Sequence, residues 1–193
     1  MGAEEPACEL KMRLDPWRES VFPNLAASRY RVTSEETAGY NCIALAAGTT
    51  NAWWWPDAGG EYYWPGQVPR EETLEAFVRT FALAGYEACD EMRLEAGFEK
   101  VAIYVDAAGT PTHAARQLES GEWTSKLGSW EDIEHDGLDA VGGQRSGLWE
   151  GSANSAASSE TQLAWRSMSN CLDAESDRNS HFLSWCACPS LDA

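Results

Sequence analysis

The residues best suited to chemistry in this sequence are Cys42 and His113. A helix N-terminus lowers the pKa of a thiol, because its free backbone N–H groups favour the nucleophilic thiolate. Cys42 follows Asn41, a good N-cap, and opens an apolar run that Gly48 is expected to end. An imidazole from elsewhere in the fold must then take up the thiol proton. His113 is the best placed of the three histidines, so the pair predicts a thiol nucleophile with a histidine base.

A third polar residue usually holds the imidazole of such a pair in place. Ser125 is the first candidate, since it stands on the strand predicted to follow that of His113. Asp132 and His135 are rival candidates, and the choice among the three stays open. Each residue also has a simpler interpretation: Cys42 as a small buried hydrophobe, His113 as a donor to a backbone carbonyl, and Ser125 as an ordinary strand hydroxyl.

Two helices and a small antiparallel sheet must position these side chains. The first helix carries Cys42. A second helix is predicted by Glu71 and Glu72 in its first turn, by apolar residues at helical spacing, and by Gly85 at its end. The segments KVAIYVD, THAARQL and WTSKLG, separated by the turns AAGTP and ESGE, predict three antiparallel strands. One core is expected to join the helix stripe to the first strand: Leu74, Phe77, Val78, Phe81, Val101, Ile103 and Val105.

Between the two helices runs an aromatic loop with the segments WWWP and YYWP. Exposed Trp and Tyr side chains bind sugars or peptide side chains, so this loop is a candidate binding surface. The alternative, favoured for most of its residues, is that they close a small core. The candidate binding residues are Trp53, Trp54, Trp55, Tyr63 and Trp64.

Length and charge limit the classes of function. The chain has 193 residues, a formal net charge of −17 and 44% hydrophobic residues, which indicates one globular domain. Such acidity argues against nucleic-acid and membrane-surface partners. No segment resembles a membrane span or a secretion signal, so a cytoplasmic location and reduced cysteines are expected. Nothing in the pattern calls for a cofactor or a metal.

Three regions follow from composition. Residues 1–19 are predicted to form an irregular arm, and 20–141 an α+β domain to which the segment FPNL adds an apolar anchor. Residues 142–193 form a Ser-rich tail, predicted to lack regular structure. A back-translation of residues 141–157, read one base later, yields LEGNALDYGKVAQILRR, which has the character of a final strand. This favours an out-of-frame origin for the tail, and it predicts an exposed apolar edge where that strand is missing.

The motifs YNCIALAAG, WWWP, GFEKVAIY, PTHAARQL, WTSKLG and DIEHD together resemble an uncharacterised bacterial domain-of-unknown-function family. The resemblance covers about residues 20–140. Members usually carry YNCIAWA, so Leu45 replaces a tryptophan here, and they end in a Tyr-Gly-x-Val strand. The layout of a helix-borne cysteine and a sheet-borne histidine is similar to that of papain-like thiol hydrolases of the NlpC type, which is an analogy of fold and not of demonstrated activity.

The main functional hypothesis is therefore a papain-like thiol hydrolase or acyltransferase acting on a peptide or another amide. In it, Cys42 attacks, His113 carries the proton, and Ser125 or a rival holds the imidazole. The alternative is a non-catalytic binding domain that engages a peptide or glycan through its aromatic loop. A third hypothesis is a partner protein whose acidic surface docks on a basic protein.

Overall fold

The computed structural model describes residues 13–89 and 93–142, together with the backbone of a strand at 182–187. The helices are α1 (Pro16–Val21), α2 (Cys42–Ala46) and α3 (Leu74–Leu83), with 3-10 turns at Leu25–Ala27 and Leu138–Val141. The strands are β1 (Tyr30–Val32), β2 (Glu87–Ala88), β3 (Glu99–Val105), β4 (Pro111–Gln117), β5 (Trp123–Lys126), β6 (Asp132–His135) and β7 (Phe182–Ala187).

These strands form one antiparallel sheet in the order β1-β6-β5-β4-β3-β7-β2. The predicted meander is confirmed as β3, β4 and β5, and β6 continues it. The mixed α/β class is likewise confirmed. Two separate apolar clusters pack against the sheet. We call them the α1-side cluster, which includes Phe22 and Leu25, and the α2-side cluster, which includes Cys42 and Phe77.

The helix that carries Cys42 forms as predicted. The Asn41 side chain caps it by accepting a hydrogen bond from the Ala44 backbone N–H, with the two atoms 3.1 Å apart. Gly48 ends it with φ at 78°, a left-handed backbone conformation that glycine adopts without strain. The short helix lies across β4 and β5, so Cys42 faces the sheet.

Helix α3 begins later than the pattern predicts. Its N-cap is Thr73, and Glu75 is the acidic residue of its first turn, so Glu71 and Glu72 precede the helix. Phe77 and Phe81 are fully buried against Val101 and Ile103 as expected, and Leu74 and Val78 pack on the same cluster. Val105 is only half-buried and lies outside the cluster, because the β3–β4 register shifts between Tyr104 and Val105.

The N-terminal arm contains regular structure that the sequence analysis did not predict. Asp15 caps α1 by accepting from the backbone N–H groups of Trp17 and Arg18, and Pro16 occupies the first helical position. An Asp followed by Pro is a helix-start signal, so the prediction of an irregular arm is wrong for this segment. The FPNL anchor is confirmed, since Phe22 is 1% and Leu25 0% exposed.

The tail also departs from expectation in one segment. Strand β7 lies within the region predicted to lack regular structure, and it pairs with β3 from Glu99↔Ala187 to Tyr104↔Phe182. The outer edge of β3 is therefore covered, and the predicted bare edge is wrong. The rest of the tail (143–181 and 188–193) and residues 1–12 of the arm lie outside the described residues.

Candidate functional site

Cys42 is the first residue of α2 and has no exposed surface. Burial raises the pKa of its thiol to about 12, because the thiolate would lose its contact with water. Hydrogen bonding from the backbone of Ala114 and Ile43 and the nearby charge of Lys126 oppose this shift without overcoming it. The thiol is therefore protonated at neutral pH.

Strand β4 places His113 on the opposite face of the sheet from Cys42. Ala114 pairs with Ile103 and packs in the α2-side cluster with Cys42. His113 pairs with Tyr104, whose side chain belongs to the α1-side cluster, and their rings meet edge to face with centroids 5.3 Å apart. The predicted contact between the thiol and the imidazole is therefore wrong. Successive side chains of a strand point to opposite faces of the sheet, so His113 and its neighbour Ala114 lie on opposite sides.

Ser125 does contact an imidazole, but that of His135. Its Oγ lies 2.9 Å from His135 Nε2, and His135 Nδ1 lies 2.8 Å from the carbonyl oxygen of Gly137. A carbonyl can only accept, so Nδ1 carries the ring proton and the Ser125 hydroxyl donates to Nε2. A hydroxyl nucleophile makes the same hydrogen bond to its general base. Ser125 and His135 are, however, only 0% and 1% exposed, so a substrate could not reach them. Here the pair satisfies polar groups inside the core.

Both imidazoles are buried, and His135 exerts an electrostatic effect on His113. Burial is the main cause that lowers the pKa of His113 to about 3, and the electrostatic effect of His135 adds to it. Burial also lowers the pKa of His135, while the Gly137 carbonyl partly offsets that shift. Both rings are therefore neutral at pH 7.

Asp132, the other rival for orienting the imidazole, lies on the α2 face instead. It accepts a hydrogen bond from the Tyr40 hydroxyl, with the oxygens 2.6 Å apart, and its Oδ1 lies 3.8 Å from Lys126 Nζ. The Lys126 side chain is fully buried and also donates to the Trp130 carbonyl. Burial lowers the pKa of Lys126 and raises that of Asp132. A lysine buried beneath a helix was not predicted, since nothing in WTSKLG distinguishes it from an exposed one.

The aromatic loop divides into buried and open side chains. Trp55 and Trp64 close the α2-side cluster, each meeting the ring of Phe77 edge to face with centroids 5.4 and 5.1 Å away. Trp53 and Trp54 are partly buried and pack on the same cluster from its margin. Core closure therefore accounts for Trp55 and Trp64 fully, and for Trp53 and Trp54 in part.

Tyr63 lies at the surface, and Trp54 is half-buried beside it. Their ring centroids are 4.7 Å apart with the planes inclined by 45°, and Tyr63 is 49% exposed. We call this pair the aromatic corner. It borders a depression of about 340 Å³ whose other lining residues are Thr49, Asn51 and Ala52. None of these three residues was predicted as part of a site, although they lie just before the WWWP segment.

Hydrogen bonds hold the aromatic corner in place. The Asn41 amide donates to the Trp54 carbonyl at 2.7 Å and accepts from the Trp54 N–H at 3.2 Å, while the same oxygen caps α2. Backbone bonds on either side of Tyr63 join the two aromatic segments. Arg70 donates to Asp57 and to the Tyr62 carbonyl, each at 3.1 Å. The corner is thus preorganised, and Asn41 does more than cap a helix.

Within residues 13–89 and 93–142, no group of three or more His, Cys, Asp or Glu side chains is arranged to hold a metal ion. Nor is any helix in that part of the chain long and apolar enough to cross a membrane.

Comparison with known proteins places the chain in a family. No curated protein and no solved structure matches it. A family model described as a domain of unknown function, DUF7689, matches residues 31–150, which include α2, the aromatic loop, α3 and the strands from β2 to β6, with β1 at its start. The chain therefore belongs to this DUF7689 family.

Proposed function

We propose that this protein is a non-catalytic binding domain that engages its ligand through the aromatic corner. The observation that carries the proposal is the pairing of exposed Tyr63 with half-buried Trp54 beside the depression, on a loop fixed by Asn41. A binding surface gains affinity when it is held in its binding conformation, because less conformational entropy is then lost. Aromatic side chains beside a few polar groups suit a peptide or a glycan.

The chemistry-bearing residues elsewhere favour binding over catalysis. Cys42, Ser125 and His135 are each at most 1% exposed. A reacting group must come within hydrogen-bonding distance of the substrate atom it attacks or protonates. These groups face the core, whereas Tyr63 and the depression beside it are open to solvent.

The proposal is tested by ligand screening with matched tryptophan variants. Peptide and glycan mixtures are added to isotopically labelled protein, and amide and indole NMR shifts are recorded. We expect ligand-induced shifts at residues 49–54 and 63 that Trp54→Ala abolishes and Trp17→Ala preserves. Trp17 is the control because it is 58% exposed and lies on α1. Ligands that perturb the protein equally in both variants would contradict the proposal.

A thiol hydrolase of papain-like layout is the second candidate. The feature that favours it is the position of Cys42 at the start of a helix packed on an antiparallel sheet, with an ammonium group nearby. It requires a rearrangement that exposes the thiol and brings an imidazole to its side of the sheet. Thiol reactivity separates the two candidates, because a binding domain needs no thiolate.

A further inference from the structure

The segment that carries the aromatic corner contains more acidic than basic residues. Residues 49–72 carry Asp57, Glu61, Glu71 and Glu72 against Arg70 alone, which leaves three net negative charges. The three glutamates are exposed. Glu72 also accepts a hydrogen bond from the Trp55 indole at 3.1 Å, which holds that carboxylate against the loop. The loop that carries Trp54 and Tyr63 therefore has a net negative charge.

The one cation of this segment is already engaged. Arg70 Nη1 lies 3.1 Å from Asp57 Oδ1, and its other donors reach carbonyl oxygens of the loop. Arg70 thus offsets Asp57 and leaves the exposed glutamates uncompensated within the segment. The net charge of −17 for the chain adds a long-range field of the same sign.

The faces of aromatic rings attract cations as well. A guanidinium or ammonium group over Trp or Tyr interacts with the negative face of the ring, and guanidinium also stacks flat on it. The depression beside the rings is lined by Thr49 and Asn51, whose side-chain oxygens can accept hydrogen bonds from such a group. Aromatic faces, oxygen acceptors and the net negative charge of the loop all favour a positively charged ligand.

We propose that the ligand of the aromatic corner is a basic peptide segment, whose Arg or Lys side chain packs on Trp54 and Tyr63 while neighbouring basic residues face the exposed glutamates. This inference rests on the proposed binding function and specifies its ligand class. A neutral glycan would leave the acidic charge unused, and an acidic peptide would be repelled by it.

The test compares three fluorescent probes on the full-length chain: an Arg/Lys-rich peptide, the same peptide with Glu at the basic positions, and a neutral oligosaccharide. Binding is followed by fluorescence anisotropy. We expect only the basic peptide to bind, with affinity reduced about tenfold by Trp54→Ala and by Tyr63→Ala and preserved in Trp17→Ala. Thermal unfolding of each variant verifies that it is folded.

Two variants that each remove one glutamate charge isolate the electrostatic contribution to peptide binding. Glu61→Gln should weaken basic-peptide binding about two- to threefold. Glu119→Gln removes the same charge from the exposed β4–β5 turn and should leave binding unchanged. Higher salt should weaken binding to the wild type, since exposed charges are screened.

The outcomes separate this inference from the proposed function. Trp54-dependent binding of the oligosaccharide or the acidic peptide, without the basic one, overturns the ligand class and leaves the binding function standing. Basic-peptide binding that Trp54→Ala does not weaken overturns the inference, because charge alone then explains the affinity. If none of the three probes binds in a way that depends on Trp54, both the ligand class and the proposed binding function are overturned.

Discussion

Cys42 carries its thiol inside the protein, beneath the first turn of a five-residue helix. The helix N-terminus favours the thiolate, but removal from water disfavours it more strongly, and the pKa rises to about 12. Residue type and spacing indicated the first effect. Burial on an apolar sheet face produces the second, and it depends on tertiary packing that spacing does not encode.

Alkylation measures this balance at the level of one residue. We expect iodoacetamide at pH 7.5 to modify Cys42 in the folded protein at least about tenfold more slowly than the half-buried Cys89, because the thiolate fraction and the access are both small. His113→Ala should leave the Cys42 rate unchanged, since the sheet separates the two side chains. Fast modification of Cys42 that His113→Ala slows would restore the hydrolase hypothesis.

The buried neutral His113 makes stability depend on pH. Its pKa is about 3 when folded and about 6.5 when unfolded, so between these values only the unfolded state takes up the proton. The stability contribution is complete above pH 6.5 and is lost as pH falls towards 3. For His113, lowering the pH from 7 to 5 should reduce the free energy of unfolding by about 2 kcal/mol.

Urea unfolding of the wild type and of His113→Gln at pH 7 and pH 5 isolates this contribution. The variant should lose about 2 kcal/mol less than the wild type between the two pH values, whatever its stability at pH 7. The carboxylates titrate in both proteins and largely cancel in the comparison. Parallel pH profiles would mean that His113 is accessible to water.

At the scale of elements, periodicity and capping predicted α2, α3 and the meander, because each has a distinct local pattern. Strand β6 was missed because Asp132–His135 is only four residues long and mostly polar, and its stability comes from pairing with β5 and β1. The face taken by His113 was missed for a related reason: alternation fixes relative positions along a strand, and only packing fixes which side meets α2.

Asn41 joins helix α2 to the aromatic loop. Thr73, the N-cap of α3, provides a control for its substitution. Asn41→Ala removes the cap of α2 and both hydrogen bonds to Trp54, whereas Thr73→Ala removes only the cap of α3. We expect a loss of about 1 kcal/mol for Thr73→Ala and about 2–3 kcal/mol for Asn41→Ala. The Trp54 backbone amide should exchange with deuterium faster only in Asn41→Ala. Unchanged exchange in that variant would show that the loop is held without Asn41.

At the scale of the whole molecule, composition indicated a single domain and the motif set indicated its family, but strand β7 was not anticipated. Its segment follows a long Ser-rich stretch without periodic pattern. Only its pairing with β3 and β2 makes it a strand. Pairing between residues far apart in sequence is what local patterns do not predict.

Hydrogen exchange tests the tail directly. Amides of Phe182–Ala187 that pair with β3 should exchange within about tenfold of the rates of β3 itself, because the same ladder protects both. Exchange at the rate of an unfolded chain would instead favour the out-of-frame origin of residues 142–193. The gene supplies an independent check, since that origin requires codons at Leu148 and Trp149 that encode Tyr-Gly one base later.

The pairing of β1 with β6 has a consequence for synthesis on the ribosome. Tyr30 lies opposite His135, so β1 leaves the ribosome well before its partner strand exists. At about 5–20 residues per second, this delay lasts roughly 5–20 s. During it, Phe22 and Leu25 lack the core that later buries them. We expect nascent chains arrested before β6 to be captured by a chaperone that recognises apolar segments, and the Phe22→Ser/Leu25→Ser double variant to be captured less.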